Sequence, residues 1–202
     1  MAGRRSLAPN PAGAHFLRDR AITAELIRSS GIGRDDLVLD LGAGYGALTA
    51  GLAATGARVI AVEIDARLAG RLERRFAGAA NVRVVHGDVR QIPLPRRRFH
   101  VVASIPFAAT TTLLRRLLGD PAVSLAGTDL IISWGAAKAL TTPVPRNREI
   151  ARWRARYRIA LLRRVPAGSF SPPPGTAAAH VSIRPVRHAS PARRWQRRQR
   201  HG

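Results

Sequence analysis

The 202-residue chain has no cysteine, which excludes a disulfide framework and any thiolate metal site. No apolar run approaches the ~18 residues of a membrane helix. Met1 to Arg5 is basic but is followed by no apolar core, unlike a secretory signal, so a cytoplasmic protein without a membrane partner is expected. There is no internal repeat. Acid is scarce: 12 Asp and Glu face 34 Lys and Arg, a net charge of +22. Lysine is scarcer still, Lys138 being the sole example. A GC-rich coding sequence accounts for Arg over Lys but not for the shortage of acid. Such an excess on a small domain points to a polyanion, and Arg, which forks onto phosphate and stacks on bases, suits RNA.

The length fits one α/β domain with a sizeable core. Its centre is Val38-Leu39-Asp40-Leu41-Gly42-Ala43-Gly44-Tyr45-Gly46-Ala47-Leu48-Thr49. Leu37 to Leu41 reads as a buried parallel strand, and Leu48 to Ala54 as the first turns of a helix. Glycines between a strand and a helix suit a nucleotide-binding loop, because a Cβ would block close approach of a ligand to the backbone. A dinucleotide fingerprint using Gly42, Gly44, Ala47 and Glu63 also fits this stretch, and an ordinary tight turn is the lesser alternative.

Elsewhere, a helix is expected from about Asp19 to Ser29, with Asp19 as N-cap. Strands are expected at 58–63, 82–85, 99–103 and 130–133, and helices at 47–55, 66–76 and 110–118. Tyr157 to Leu162 and His180 to Arg184 read as a closing pair of strands, with a Pro-rich loop at 170–175 between them. This alternation implies right-handed crossovers and a mostly parallel sheet, whose site lies beyond the carboxyl ends of the strands. Asp40, Glu63, Asp88 and Ser104-Ile105-Pro106-Phe107 occupy four such ends. Glu63 suits a ribose diol, since a carboxylate accepts two hydroxyls; Asp65 reads rather as the cap of the helix at 66. Asp88 could accept from an adenine amine or be a turn aspartate. Asp40 could meet a ligand ammonium, directly or through water, which favours S-adenosylmethionine over a diphosphate. Phe107 could stack on an extruded base or fill the core behind a Pro turn. His15 and His86 read as structural.

With these residues in order, the chain resembles the rRNA adenine N6-methyltransferases, the family of erythromycin-resistance (Erm) enzymes and dimethyladenosine transferases. The likeness rests on Gly13 to Leu17, Asp40 to Thr49, Val62 to Asp65, Gly87-Asp88, Ser104 to Phe107 and Phe170 to Pro174, and spans about residues 9–186. It is closer to the Erm branch. The resemblance implies a Rossmann-like class I S-adenosylmethionine-dependent methyltransferase. Its fold would be a seven-stranded, mostly parallel sheet with helices on both faces. The cofactor would be held by His15, Leu17, Asp40, Gly42, Gly44, Glu63, Ile64, Asp88, Val89 and Ser104. The 104–107 turn would hold the target adenine, with Phe107 stacked on it and oxygens of the turn and of Ser104 on its N6. No metal is implied.

Three departures from the family pattern stand out. Ser104 replaces the usual Asn, Ala14 the usual Gln, and the C-terminal helical lobe is reduced or absent. RNA binding is therefore expected from the basic surface and both ends: Arg4, Arg5, Arg115, Arg116, Lys138, Arg193, Arg194, Arg197 and Arg198. Residues 1–12 are expected as a flexible basic arm, 13–186 as the catalytic domain and 187–202 as a disordered Arg-rich tail. The expected partner of this monomer is 23S rRNA, naked or in an early 50S precursor. Its reaction would be N6-methylation of the macrolide-site adenine, and macrolide resistance its result. A 16S rRNA adenine dimethyltransferase and a non-catalytic RNA-binding protein of the same fold are the competing readings; a nicotinamide enzyme is disfavoured.

Overall fold

The computed structural model describes residues 15–186. A two-residue strand, Phe16–Leu17 (β1), leads into helix Arg20–Ser30 (α1). Asp19 caps that helix as expected, its carboxylate accepting from the Ala21 and Ile22 amides. Alternating strands and helices follow: Leu37–Leu41 (β2), Ala47–Ala54 (α2), Arg58–Glu63 (β3), Ala66–Phe76 (α3), Val82–His86 (β4), Phe99–Ser104 (β5) and Thr110–Leu118 (α4). The chain closes with Leu125–Ser133 (β6), Trp134–Thr141 (α5), Arg148–Arg156 (α6), Tyr157–Val165 (β7), Phe170–Ser171 (β8) and Ala178–Pro185 (β9).

Seven strands form one sheet in the order β4-β3-β2-β5-β6-β9-β7. The first five are parallel, and β9 runs antiparallel to both of its neighbours. β1 and β8 pair separately, joining residues 16–17 to 170–171. This is the sheet the resemblance implies.

β2 is buried at all five positions because helices cover both faces. Leu37, Leu39 and Leu41 point into a core shared with Leu113 and Leu117 of α4 and Trp153 of α6. Val38 points the other way, into a core built with Leu26 of α1 and Leu52 of α2. Each fully buried side chain of this kind contributes about 1.5–3 kcal/mol from water exclusion, before the entropy of ordering is deducted. Both cores lie below the carboxyl ends of the strands and fix that edge from either side.

β6 begins at Leu125, five residues before the apolar run that marks it in the sequence. The polar Thr128 and Asp129 lie inside it, both 1% exposed. Asp129 is neutralised there: its carboxylate meets His180 Nε2 at 3.0 Å, Arg184 at 2.5 Å and the Ser29 hydroxyl at 3.2 Å. β7 runs three residues beyond its expected end, and between β6 and β7 the helices α5 and α6 form where no helix is expected. In α6, Asn147 caps the Ile150 amide, and Ile150 and Trp153 face inward three residues apart. At the sheet edge, β7 carries exposed Arg158, Arg163 and Arg164 and an irregularity between Leu161 and Arg163. Charge and irregularity both discourage edge-to-edge pairing with another chain.

Candidate active site

The glycine turn after β2 is where separate segments meet. Gly42 and Gly44 take φ of 82° and 54°, a region costly for side-chain-bearing residues. Space excludes a side chain too. A Cβ on Gly42 would lie 3.2 Å from Pro106 Cδ, and one on Gly44 would lie 2.8 Å from Phe16 Cδ1. The turn is therefore wedged between the segment after β5 and strand β1.

Glu63, at the end of β3, closes the turn from the third side. Its Oε2 accepts from the Gly44 amide at 2.7 Å, and its Oε1 from the Asp65 amide at 3.0 Å. Each carboxylate oxygen has two acceptor directions, so one on each remains for a diol. Ile64 beside it is 51% exposed, an apolar face at the mouth of the crevice. Asp65 caps α3, accepting from the Arg67 and Leu68 amides, as its position predicts. His86 meets the Ile64 carbonyl through Nε2 at 3.1 Å, a structural contact.

Asp40, expected to meet a ligand ammonium directly or through water, lies inside the protein. It is 1% exposed, beneath the turn, and its Oδ2 accepts from the Thr49 hydroxyl at 2.6 Å. Burial, opposed by the Thr49 bond and reinforced by the nearby Glu63 charge, pushes its carboxyl up from 3.8 to about 7. Asp40 thus ties β2 to the first turn of α2. Thr49 is a partner the sequence reading did not single out; its place in the Gly-Ala-Leu-Thr run was the only signal.

Asp88 is committed to Arg90, another residue not singled out. Both carboxylate oxygens accept from the guanidinium, at 2.6 to 3.0 Å, and Oδ1 also accepts from the Arg90 amide at 2.8 Å. The Arg90 hydrogen bonds hold its carboxyl below the usual carboxylate range. The turn-aspartate alternative therefore describes its backbone role. An adenine amine at this carboxylate would have to displace part of that fork. Val89 is buried next to it.

Ser104 ends β5 abreast of Ile131, and its carbonyl oxygen lies 3.7 Å from the Cβ position of Gly42. Ile105 is buried, and Pro106 redirects the chain into a short 3-10 turn at Phe107–Ala109. Phe107 is half-buried between two aromatic neighbours: its ring centroid lies 5.8 Å from that of His15 and 6.5 Å from that of Phe170. His15 meets the Pro172 carbonyl through Nδ1 at 2.9 Å. Phe16, next to Leu17, packs edge-on against the exposed Tyr45 at 4.9 Å. The β1–β8 pairing thus brings the first and last of the signature segments against the glycine turn and Phe107. That pairing joins residues more than 150 positions apart, and nothing local announces it.

The basic residues divide. Arg116 is not available for RNA as expected: it donates to the Val89 and Ile92 carbonyls and pins the loop that carries Asp88. Arg115 is bound in a fork to Glu149, at 2.9 and 3.2 Å. Lys138 stays exposed, with Nζ 6.0 Å from the Trp134 ring. Arg4, Arg5, Arg193, Arg194, Arg197 and Arg198, with the arm and tail that carry them, lie outside the described residues. Among the described residues no helix is long and apolar enough to cross a membrane, and no His or acidic cluster of metal-site form occurs.

Comparison with known proteins agrees with this arrangement. Residues 9–198 match the family described as ribosomal RNA adenine dimethylase. An rRNA adenine N-6-methyltransferase of Bacillus licheniformis is 36% identical over 179 residues, 89% of this chain and 62% of that protein. The ribosomal RNA small subunit methyltransferase A of Synechococcus sp. (strain JA-3-3Ab) is 34% identical over 195 residues, 91% of this chain and 70% of that protein. Among solved structures, the 23S rRNA methyltransferase ErmE superposes with a TM-score of 0.79 at 27% identity, over 85% of this chain and 70% of that one. The chain spans about three fifths of the length of the Bacillus relative. Its sequence match over nearly its whole length makes this chain a member of the ribosomal RNA adenine dimethylase family, and its sheet agrees.

Proposed function

We propose that the protein transfers a methyl group from S-adenosylmethionine to N6 of one adenine in 23S rRNA, the adenine of the macrolide site, and so confers macrolide resistance. The observation that carries this reading is the convergence of Phe107, the Gly42–Gly44 turn and Glu63 at one edge of the sheet. A base stacked on Phe107 would there adjoin a ligand held by Glu63. The likeness to ErmE supports 23S rRNA as the substrate.

The residues fit the cofactor. Glu63 has an acceptor direction on each oxygen for the two ribose hydroxyls, and Ile64 offers an exposed apolar face to the adenine ring. Asp88 is within the same rim for the adenine amine, in exchange for part of its Arg90 fork. When bound, S-adenosylmethionine supplies an electrophilic methyl group. The target amine is itself the nucleophile, so the chain's work is to position it. Phe107 holds the base, and the carbonyl and hydroxyl of Ser104 orient N6. Such positioning supplies much of the acceleration in a two-substrate reaction. Asp40 acts beneath the site, keeping the turn in place through Thr49. The proposed protein works as a cytoplasmic monomer on naked 23S rRNA or an early 50S precursor.

Expression in a macrolide-sensitive bacterium, followed by primer extension across the macrolide-site adenine, tests this. A stop at that adenine together with resistance is expected; unchanged RNA and unchanged sensitivity refute it. The likeness to the small subunit methyltransferase A supports a second reading, 16S rRNA as substrate. Methylation assays on 30S and 50S particles in parallel separate the two. Calorimetry with S-adenosylmethionine addresses a non-catalytic RNA-binding role, which predicts no binding heat.

A further inference from the structure

Trp134 follows the carboxyl end of β6, on the same edge of the sheet as Ser104 and Phe107. Its backbone amide donates to the Ala177 carbonyl at 2.9 Å, and Ser133 and Val165 both lie abreast of Ala178. Trp134 and the end of β7 therefore flank the same stretch of β9. Arg164 lies with Cζ 5.3 Å from the Trp134 ring, and Lys138 with Nζ 6.0 Å from it. Trp134 is half-buried, while both cations are exposed and neither makes an ion pair among the described residues. Arg164 also lines a groove of about 470 Å³ with Pro166, Ala167 and residues 175–177. The opposite side of this loop carries Phe170 and Pro172, which meet Phe107 and His15. One loop thus joins the proposed adenine site to a groove lined by Arg164, whose guanidinium lies against the Trp134 ring with Lys138 nearby.

We propose that Trp134, Arg164 and Lys138 form a second RNA subsite, which holds the single-stranded nucleotide next to the target adenine. The cations take its phosphate, and the indole with the Arg164 guanidinium on it gives its base a stacking platform. An RNA strand is favoured because aromatic faces backed by cations bind unpaired bases without regard to sequence, and because the chain's excess positive charge needs an anionic partner. This inference rests on the RNA substrate proposed above, but its position beside the site is independent of the methyl-transfer chemistry.

The test uses the full chain and a 23S rRNA fragment containing the macrolide-site adenine. Fragment binding is read by fluorescence anisotropy, which needs no turnover. Trp134→Leu and Arg164→Gln are each expected to weaken RNA binding about tenfold, in the range stacking contacts give. Arg164→Gln should also flatten the salt dependence of binding. Trp134→Phe, which keeps a stacking face, should bind within about twofold of the parent. Affinity for S-adenosylmethionine should be unchanged throughout and reports that each variant is folded. Unchanged RNA affinity in a folded Arg164→Gln variant overturns the subsite, as does loss in Trp134→Phe equal to that in Trp134→Leu. If the parent binds the fragment but never methylates it, the reading of the reaction fails while the subsite is still measured.

Discussion

Glu63 and Gly44 are joined by a 2.7 Å hydrogen bond from the Gly44 amide to Oε2, across 19 residues of sequence. The bond draws the glycine turn onto the end of the neighbouring strand and leaves each Glu63 oxygen with one further acceptor direction. One residue therefore shapes the turn and offers the groups that a ribose needs.

Glu63→Ala should lower affinity for S-adenosylmethionine by about ten- to a hundredfold, the worth of hydrogen bonds to a charged group. Isothermal calorimetry measures it. Methylation should recover at high cofactor concentration, since the target-adenine side is untouched. Affinity equal to the parent's removes Glu63 from the cofactor site.

Phe107→Ala should abolish methylation of RNA while leaving cofactor affinity within about twofold. The Phe107 ring packs near His15 and Phe170 and carries no hydrogen-bonding group, and the turn bond its carbonyl accepts from the Thr110 amide survives the change, so the loss should fall on the base. Steady-state assays with saturating cofactor, beside calorimetry on the same preparation, separate the two effects. Retained activity would mean the aromatic face is core packing and nothing more.

Asp40 sets a pH dependence of stability with an unusual sign. Its carboxyl titrates near 7 in the folded chain against 3.8 ordinarily, so the folded state holds the proton more tightly. The native state then binds more protons than the unfolded state between these values, and stability declines as pH rises through them. The total effect is on the order of 4 kcal/mol. Asp40→Asn keeps an acceptor for Thr49 and cannot ionise. Its unfolding free energy should lose this slope between pH 4 and about 7, as urea titrations across that range would show; parallel curves for both proteins reject the assignment.

Asp129→Ala should destabilise the fold by about 3 kcal/mol, because it leaves buried His180 and partly buried Arg184 without their shared anion. The urea midpoint should fall while the denaturant slope is kept. Cofactor affinity should hold under folding conditions, since this network lies within the sheet below the rim.

Much of this organisation could be read from the residues. β2 and β3 form where Leu37–Leu41 and Arg58–Glu63 predict them, because a strand buried on both faces is an unbroken apolar run. Asp19 and Asp65 cap their helices as their positions foretell. β6 was less legible: Thr128 and Asp129 break its apolar pattern, and the Asp129 carboxylate is met by residues on α1 and β9. At the site, Gly42, Gly44, Glu63 and Phe107 meet as their places at strand ends imply. The Asp88–Arg90 fork, the Asp40–Thr49 bond and the Arg116 contacts depend on side-chain reach, which spacing alone does not reveal. Charge counts likewise failed to separate the arginines bound to carbonyls and carboxylates from those open to a partner.

The most direct test of the central claim is a methylation reaction with the full chain, labelled S-adenosylmethionine and total rRNA, with the modified nucleotide mapped. Label is expected at N6 of one adenine in 23S rRNA, and none with Phe107→Ala. Absence of label from rRNA by a chain that binds both cofactor and RNA would contradict it.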